Sequence, residues 1–189
     1  KALLAVGAAV TLTETPADVL AADKVVLPGV GAFADCMTSL ARLELVDPIH
    51  QVVARGTPFL GICVGMQVLF DYGEELGGHP GLGLLPGRVV PFDIDPLYKV
   101  PHTGWNQLQP TRASRLLAGV SPEAWTYFNH GFVCHAAPED VLATTDYGGP
   151  FTSVVGRGML YGVQFHPEKS QHVGLEILRN FVADVESEL

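Results

Sequence analysis

Three short segments carry residue types that could do chemistry together. Gly61-Ile62-Cys63-Val64-Gly65 has the form G-x-nucleophile-x-G, where an apolar run over residues 57–62 gives way to a helical pattern. Flanking glycines let the chain turn sharply and lift the thiol above the strand end. The free N–H groups of the following helix favour a thiolate there. Taken alone, the motif fits a buried packing thiol equally well, because cysteine is a common small core residue. The second segment, Tyr161-Gly162-Val163-Gln164-Phe165, reads as a strand ending in His166-Pro167-Glu168. An acid–base histidine needs a carboxylate to hold its tautomer and orientation. A spacing of two at a strand end lets both side chains face one way, with Pro167 stiffening the turn. The third segment, Pro28-Gly29-Val30-Gly31, again follows a strand. Its glycines permit the backbone angles that expose N–H groups to an oxyanion, although an ordinary strand-to-helix turn uses the same residues. Ligands of open α/β sheets bind at C-terminal strand ends. Three such loops in one chain make a Cys63–His166–Glu168 hydrolase the leading expectation.

The elements that must position these loops alternate in type. Strands are expected at residues 10–12, 24–27 and 57–62, and helices from Thr15-Pro16, over 33–43, from Asp47-Pro48 to Gly56, and over 65–72. The uninterrupted apolar run at 57–62 is that of a central parallel strand covered on both faces. Glycine and proline then mark a surface connection over 77–87. Short β-type segments follow at 88–92, 105–108, 125–132, 141–145, 152–155 and 160–165, with a hairpin turn at Gly156-Arg157-Gly158. A helix over 173–185 closes the chain, with Leu175, Leu178, Phe181 and Val182 on one face. The pattern predicts an α/β fold with a central, mostly parallel mixed sheet, helices on both faces, and a β-rich C-terminal half. Residues 1–189 are expected to form one domain.

Composition narrows the partners. The formal net charge is −9 and no run of Lys and Arg occurs, which argues against wrapping a phosphate backbone. The three cysteines, Cys36, Cys63 and Cys134, are widely spaced and odd in number, so a disulfide framework is not expected and a reducing, cytoplasmic compartment is. The longest apolar stretch, over 58–70, is too short to span a bilayer. Neither a metal nor a cofactor is called for. Lys1 and the apolar residues after it read as the last turns of a helix ending at Gly7 rather than as a signal peptide.

Gly61-Ile62-Cys63-Val64-Gly65-Met66-Gln67, with Gln164-Phe165-His166-Pro167-Glu168, resembles the class I (triad) glutamine amidotransferases. Pro28-Gly29-Val30-Gly31-Ala32-Phe33, Lys99-Val100-Pro101-His102-Thr103-Gly104-Trp105-Asn106 and His166-Pro167-Glu168-Lys169-Ser170-Gln171 narrow the likeness. They are similar to the glutaminase subunits of imidazole glycerol phosphate synthase, of histidine biosynthesis. The resemblance covers essentially the whole chain.

It implies a flavodoxin-like amidotransferase fold and a heterodimer with a cyclase subunit that is a (β/α)8 barrel. Cys63 would attack the side-chain amide of L-glutamine. Backbone N–H groups of Val30 or Gly31, and of Val64, would hold the oxyanion. His166 would protonate the departing ammonia and then activate water, oriented by Glu168. Gly31, Gln67, His130, Gly131 and Phe132 would hold the glutamine, while Pro101, His102, Trp105, Asn106 and Lys169 would face the partner. The ammonia would pass to the cyclase, which makes imidazole glycerol phosphate and an aminoimidazole carboxamide ribotide. Phe128-Asn129-His130-Gly131-Phe132 departs from the family, which carries hydroxyl residues after this histidine. The family's first strand also lacks a counterpart, so the sequence is expected to start beyond it. Without the resemblance, Trp105 reads as core. Three alternatives stay open: another triad amidotransferase or the related pyridoxal phosphate synthase glutaminase, a freestanding γ-glutamyl peptidase, and a non-catalytic module on the same fold.

Overall fold

A computed structural model of the chain describes residues 1–183. Its strands are β1 (Val25–Gly29), β2 (Phe59–Cys63), β3 (Phe70–Gly73), β4 (His79–Pro80), β5 (Leu85–Pro91), β6 (His102–Gln107), β7 (Gln109–Pro110), β8 (Trp125–His130), β9 (Phe132–Ala136), β10 (Val141–Asp146), β11 (Pro150–Arg157) and β12 (Leu160–Val163). The helices are α1 (Ala2–Ala5), α2 (Pro16–Ala21), α3 (Phe33–Arg42), α4 (Val46–Ala54), α5 (Val64–Gln67) and α6 (Gln171–Val182).

The main sheet is mixed, in the order β1-β2-β12-β11-β9-β5-β3-β4, with β10 and β7 continuing from β11. Its parallel parts are β1–β2–β12 and β3–β5; its other ladders are antiparallel. β2 is central, and its apolar run serves two cores. Phe59 faces the cluster with Leu40, Ile49 and Val52 of α3 and α4. Leu60 faces the opposite cluster with Ile177, Leu178 and Phe181 of α6. Adjacent residues of a strand point to opposite faces, so two covered faces require an unbroken apolar sequence. β6 and β8 form a separate antiparallel ribbon, with Trp105 opposite Tyr127 and Gln107 opposite Trp125.

The parallel registers align three C-terminal ends: Gly29 stands beside Cys63 and Ile62 beside Val163. The loop after β1, the turn after β2 and the segment after β12 therefore meet at one edge. The turn after β2 is tight because α5 rides directly on the backbone beneath it. A Cβ on Gly65 would strike the Leu27 carbonyl, one on Gly61 would overlap the Gly65 carbonyl, and one on Gly29 would sit 2.5 Å from the Gly65 nitrogen.

Several local expectations change. Residues 10–12 form no strand: β1 pairs only with β2 among the described residues, and Leu12 is 95% exposed, so no ladder partner lies alongside. The helix expected over 65–72 stops at Gln67, because Leu69 and Phe70 are drawn into backbone pairing with residues 84 and 85. Non-local hydrogen bonding and burial override helix propensity there. The stretch 77–87 is more than a surface connection, since it includes β4 and the buried Leu82 and Leu85. The strand expected over 125–132 breaks at Gly131, with β8 joining the ribbon and β9 the main sheet. The closing helix begins at Gln171, and residues 184–185 of its expected span lie outside the described residues.

The contact under α5 sets a stability difference between two glycines. Gly65→Ala is expected to cost about 3 kcal/mol or more, since backbone has to move. Gly131→Ala, whose Cβ would meet only Val100 Cγ1 at 3.6 Å, is expected to stay within about 1 kcal/mol. Denaturant midpoints of the two variants check this.

Candidate active site

Cys63 ends β2 and caps α5 with φ 55° and ψ −112°, a strained conformation for a residue with a side chain. The strain turns the thiol out of the strand direction and leaves the first N–H groups of α5 beside it. His166 is 6% exposed, and its backbone N–H donates to the Tyr127 carbonyl at 2.9 Å. Its Nδ1 lies 3.0 Å from Glu168 Oε1, and Cys63 is near enough to its ring to change how tightly it holds a proton. With Nδ1 taken, Nε2 is the atom available to the thiol. The ring is pushed up to about 9, first by Cys63 and then by its hydrogen bond to Glu168. Glu168, half exposed, is held below the usual carboxylate range, chiefly by the same bond to His166. An imidazolium poised next to a thiol and oriented by a carboxylate can deliver a proton to a leaving group.

The loop after β1 is open. Val30 is 83% exposed, and Gly31 has φ +89°, a left-handed angle that suits glycine. On its far side Glu75 Oε2 accepts from the Phe33 N–H at 2.7 Å, capping α3 from a distant segment. Burial pushes the Cys36 thiol up to about 11 and raises Cys134 further. Among the described residues, no cluster of His, Cys, Asp and Glu could hold a metal ion. No helix there is long and apolar enough to cross a membrane.

The structure places the other expected residues unevenly. Gln67, at the end of α5, is buried, and its Nε2 donates to Gln164 Oε1 at 3.1 Å and to the Phe132 carbonyl at 3.4 Å. Trp105 is 42% exposed, Pro101 and Lys169 lie at the surface, and Lys169 Nζ stands 5.4 Å from the Tyr127 ring centroid. Asn106 is half-buried and donates to the Asp146 carbonyl at 2.8 Å. His102, expected at the docking face, is only 3% exposed, so its ring is not part of that surface. His130, expected to contact glutamine, is 5% exposed, and both its nitrogens are engaged within the chain. Gly131 and Phe132 are partly exposed beside it.

The two histidines form a directed pair. The Phe132 carbonyl can only accept, so His130 Nδ1, 2.8 Å away, carries a hydrogen. Neutral His130 then presents a lone pair at Nε2, to which His102 Nδ1 donates at 3.2 Å. His102 Nε2 in turn faces Asn106 Nδ2 at 3.4 Å. Phe92, Phe128, Phe151 and Tyr147 wall this pair in. Burial accordingly pushes His102 down to about 4 and His130 down to about 3.

Gln164 is the residue that sequence reasoning passed over except as part of a motif. Its signal was a carboxamide within a short apolar strand run, where a polar side chain needs a buried partner.

Comparison with known proteins decides the family. The profile of the glutamine amidotransferase class-I family matches residues 1–185. The chain belongs to this family. The imidazole glycerol phosphate synthase subunit HisH of Desulfitobacterium hafniense is 48% identical over 96% of the chain and 85% of that protein. The proteins of the same description from Salinibacter ruber and Zymomonas mobilis are 49% and 50% identical over 97% and 96% of the chain, and 87% of each relative. In fold, a glutamine amidotransferase crystal structure matches with a TM-score of 0.73 at 18% identity, covering 95% of this chain and 88% of that one. A putative GMP synthase component from Thermoplasma acidophilum matches at 0.61 and 22%, covering 88% and 74%.

The neutral histidine pair in this amidotransferase makes it acid-sensitive. Both folded values lie below the ordinary 6.5, so the unfolded chain takes up protons that the folded chain refuses. Stability is therefore expected to fall as pH drops from 6.5 towards 3–4. His130→Asn is expected to flatten that slope even though it lowers stability at pH 7. Denaturant midpoints measured across the range test this.

Proposed function

We propose that this chain is the glutaminase subunit of imidazole glycerol phosphate synthase, one domain working in the cytoplasm. It would hydrolyse L-glutamine and pass ammonia to a (β/α)8-barrel cyclase with which it forms a heterodimer. The observation that carries the reading is the meeting of Cys63, His166 and Glu168 at one sheet edge. The identity of 48–50% to HisH subunits over nearly the whole chain supports the pathway.

Thiolate Sγ of Cys63 adds to the side-chain amide carbon of glutamine, and the carbonyl electrons move onto oxygen. Backbone N–H groups of Val64, and of Val30 or Gly31, would donate to that oxyanion. The exposed, left-handed Gly31 makes the 28–31 loop able to reorient a peptide towards it. As the tetrahedral intermediate collapses, the carbon–nitrogen bond breaks and Nε2 of His166 gives its proton to the leaving nitrogen, releasing ammonia. A γ-glutamyl thioester remains. Neutral His166 then takes a proton from water, hydroxide adds to the thioester, and glutamate leaves as the thiolate re-forms. Glu168 keeps one tautomer through both steps. Gln67, with Gly31, Gly131 and Phe132, would bind the substrate, and Pro101, Trp105, Asn106 and Lys169 would form the docking face. Ammonia without an acceptor is wasted, so activity should rise when the cyclase carries its nucleotide.

Glutamate release by the chain with its barrel partner is the test. Cys63→Ala is expected to remove activity by about 10⁴-fold or more, and full activity in that variant would overturn the reading. Equal turnover with and without the nucleotide-loaded barrel would overturn the proposed coupling. The pH profile offers a separate check. Because His166 must be protonated, kcat/KM is expected to fall as pH rises through about 9. Glu168→Gln removes one of the causes of that raised value, so this limb should move to lower pH and the rate should drop by roughly 10²-fold.

A further inference from the structure

Gln164 follows β12, two residues before His166, and is fully buried. Its backbone N–H is satisfied by the Ser153 carbonyl at 2.9 Å. A buried carboxamide is costly unless both its ends find partners, and both partners here belong to the candidate site. Oε1 accepts from Gln67 Nε2 at 3.1 Å, while Nε2 donates towards Cys63 Sγ at 3.8 Å. The polarity of this bridge is set from outside it. Gln67 Nε2 also donates to the Phe132 carbonyl, an obligate acceptor, so nitrogen is the end that Gln67 turns towards Gln164. Oxygen must then be the end of Gln164 that meets it, which turns the Gln164 nitrogen onto sulfur. Both hydrogens of the Gln67 amide are thereby engaged, and its Oε1 is the group left to offer a ligand.

We propose that Gln164 is a positioning residue for the glutaminase reaction, its single planar carboxamide aligning the Cys63 sulfur with the ligand-facing oxygen of Gln67. A thiol at the end of one strand and an amide one turn into a helix are thus referred to a common third strand. The part concerning Gln67 rests on the glutaminase reading; the part concerning sulfur does not. A purely space-filling Gln164 would be replaceable by any side chain of its size.

The experiment uses the full chain with its barrel partner. Iodoacetamide alkylation of Cys63 is followed against pH by mass spectrometry of the peptide that bears it, alongside kcat and KM for glutamine. Gln164→Glu keeps size and the acceptor for Gln67 but sets an acidic group against sulfur. It is expected to move half-maximal alkylation up by at least one pH unit and to lower kcat about tenfold, with KM changed less than threefold. Gln164→Met keeps bulk and loses both ends, so KM should rise more than threefold as well. If neither variant folds, Gln67→Met gives the reading. Its hydrogen bonds go to Gln164 and the Phe132 carbonyl rather than to sulfur, so a shifted alkylation profile there shows transmission through Gln164. Profiles that superimpose on the parent's in every folded variant overturn the proposal. Iodoacetamide needs no glutamine site, so a shifted profile without glutaminase activity would sink the functional reading and leave the sulfur contact standing.

Discussion

The approach of one short helix to bare backbone governs the rest of the molecule. α5 sits so close to β1 and β2 that side chains at Gly29, Gly61 or Gly65 would collide with carbonyls or amide groups. That closeness forces the turn at Cys63 into a left-handed angle, at a cost of about 1–3 kcal/mol. Two cores offset it, because β2 is clamped between parallel neighbours and buried on both faces. A looser helix would let Cys63 relax into the sheet. It would also take Gln67 away from Gln164 and the Phe132 carbonyl, so the geometry of the site and the packing beneath it are one constraint.

Electrostatically the site is organised by contrast between histidines. His166 gains a proton-holding environment from Cys63 and Glu168, while His102 and His130 lose theirs to an aromatic enclosure. At neutral pH positive charge is therefore confined, among these three, to the imidazole that faces the thiol. The neutral pair serves as hydrogen-bonding framework, handing one fixed pattern of donors and acceptors from Asn106 to the Phe132 carbonyl.

The segments around Cys63, His166 and the 28–31 loop were legible because their signals are local: a nucleophile between glycines, a His-Pro-Glu at a strand end, a Pro-Gly turn. The central strand was legible from its apolar run, since burial on two faces leaves no room for alternation. What failed was non-local. Nothing in residues 10–12 says whether a neighbouring strand lies beside them, and Leu69-Phe70 continues a helical pattern until distant residues claim its backbone. The burial of His102 and His130 was equally hidden, because two polar residues 28 positions apart satisfy each other only after the ribbon has folded. Gln164 belongs to the same class, its role written in two residues far from it in sequence.

Both tryptophans of the chain, Trp105 and Trp125, stand on the β6–β8 ribbon, outside the main sheet and substantially exposed. Indole emission from this chain is consequently a local optical signal. It reports on the ribbon's contact with solvent and is nearly blind to the packing around β2. A shift in wavelength on mixing with another protein marks that face becoming covered, whereas core loosening that leaves the ribbon wet passes unseen. The molecule carries its own intrinsic probe on the face where docking is proposed.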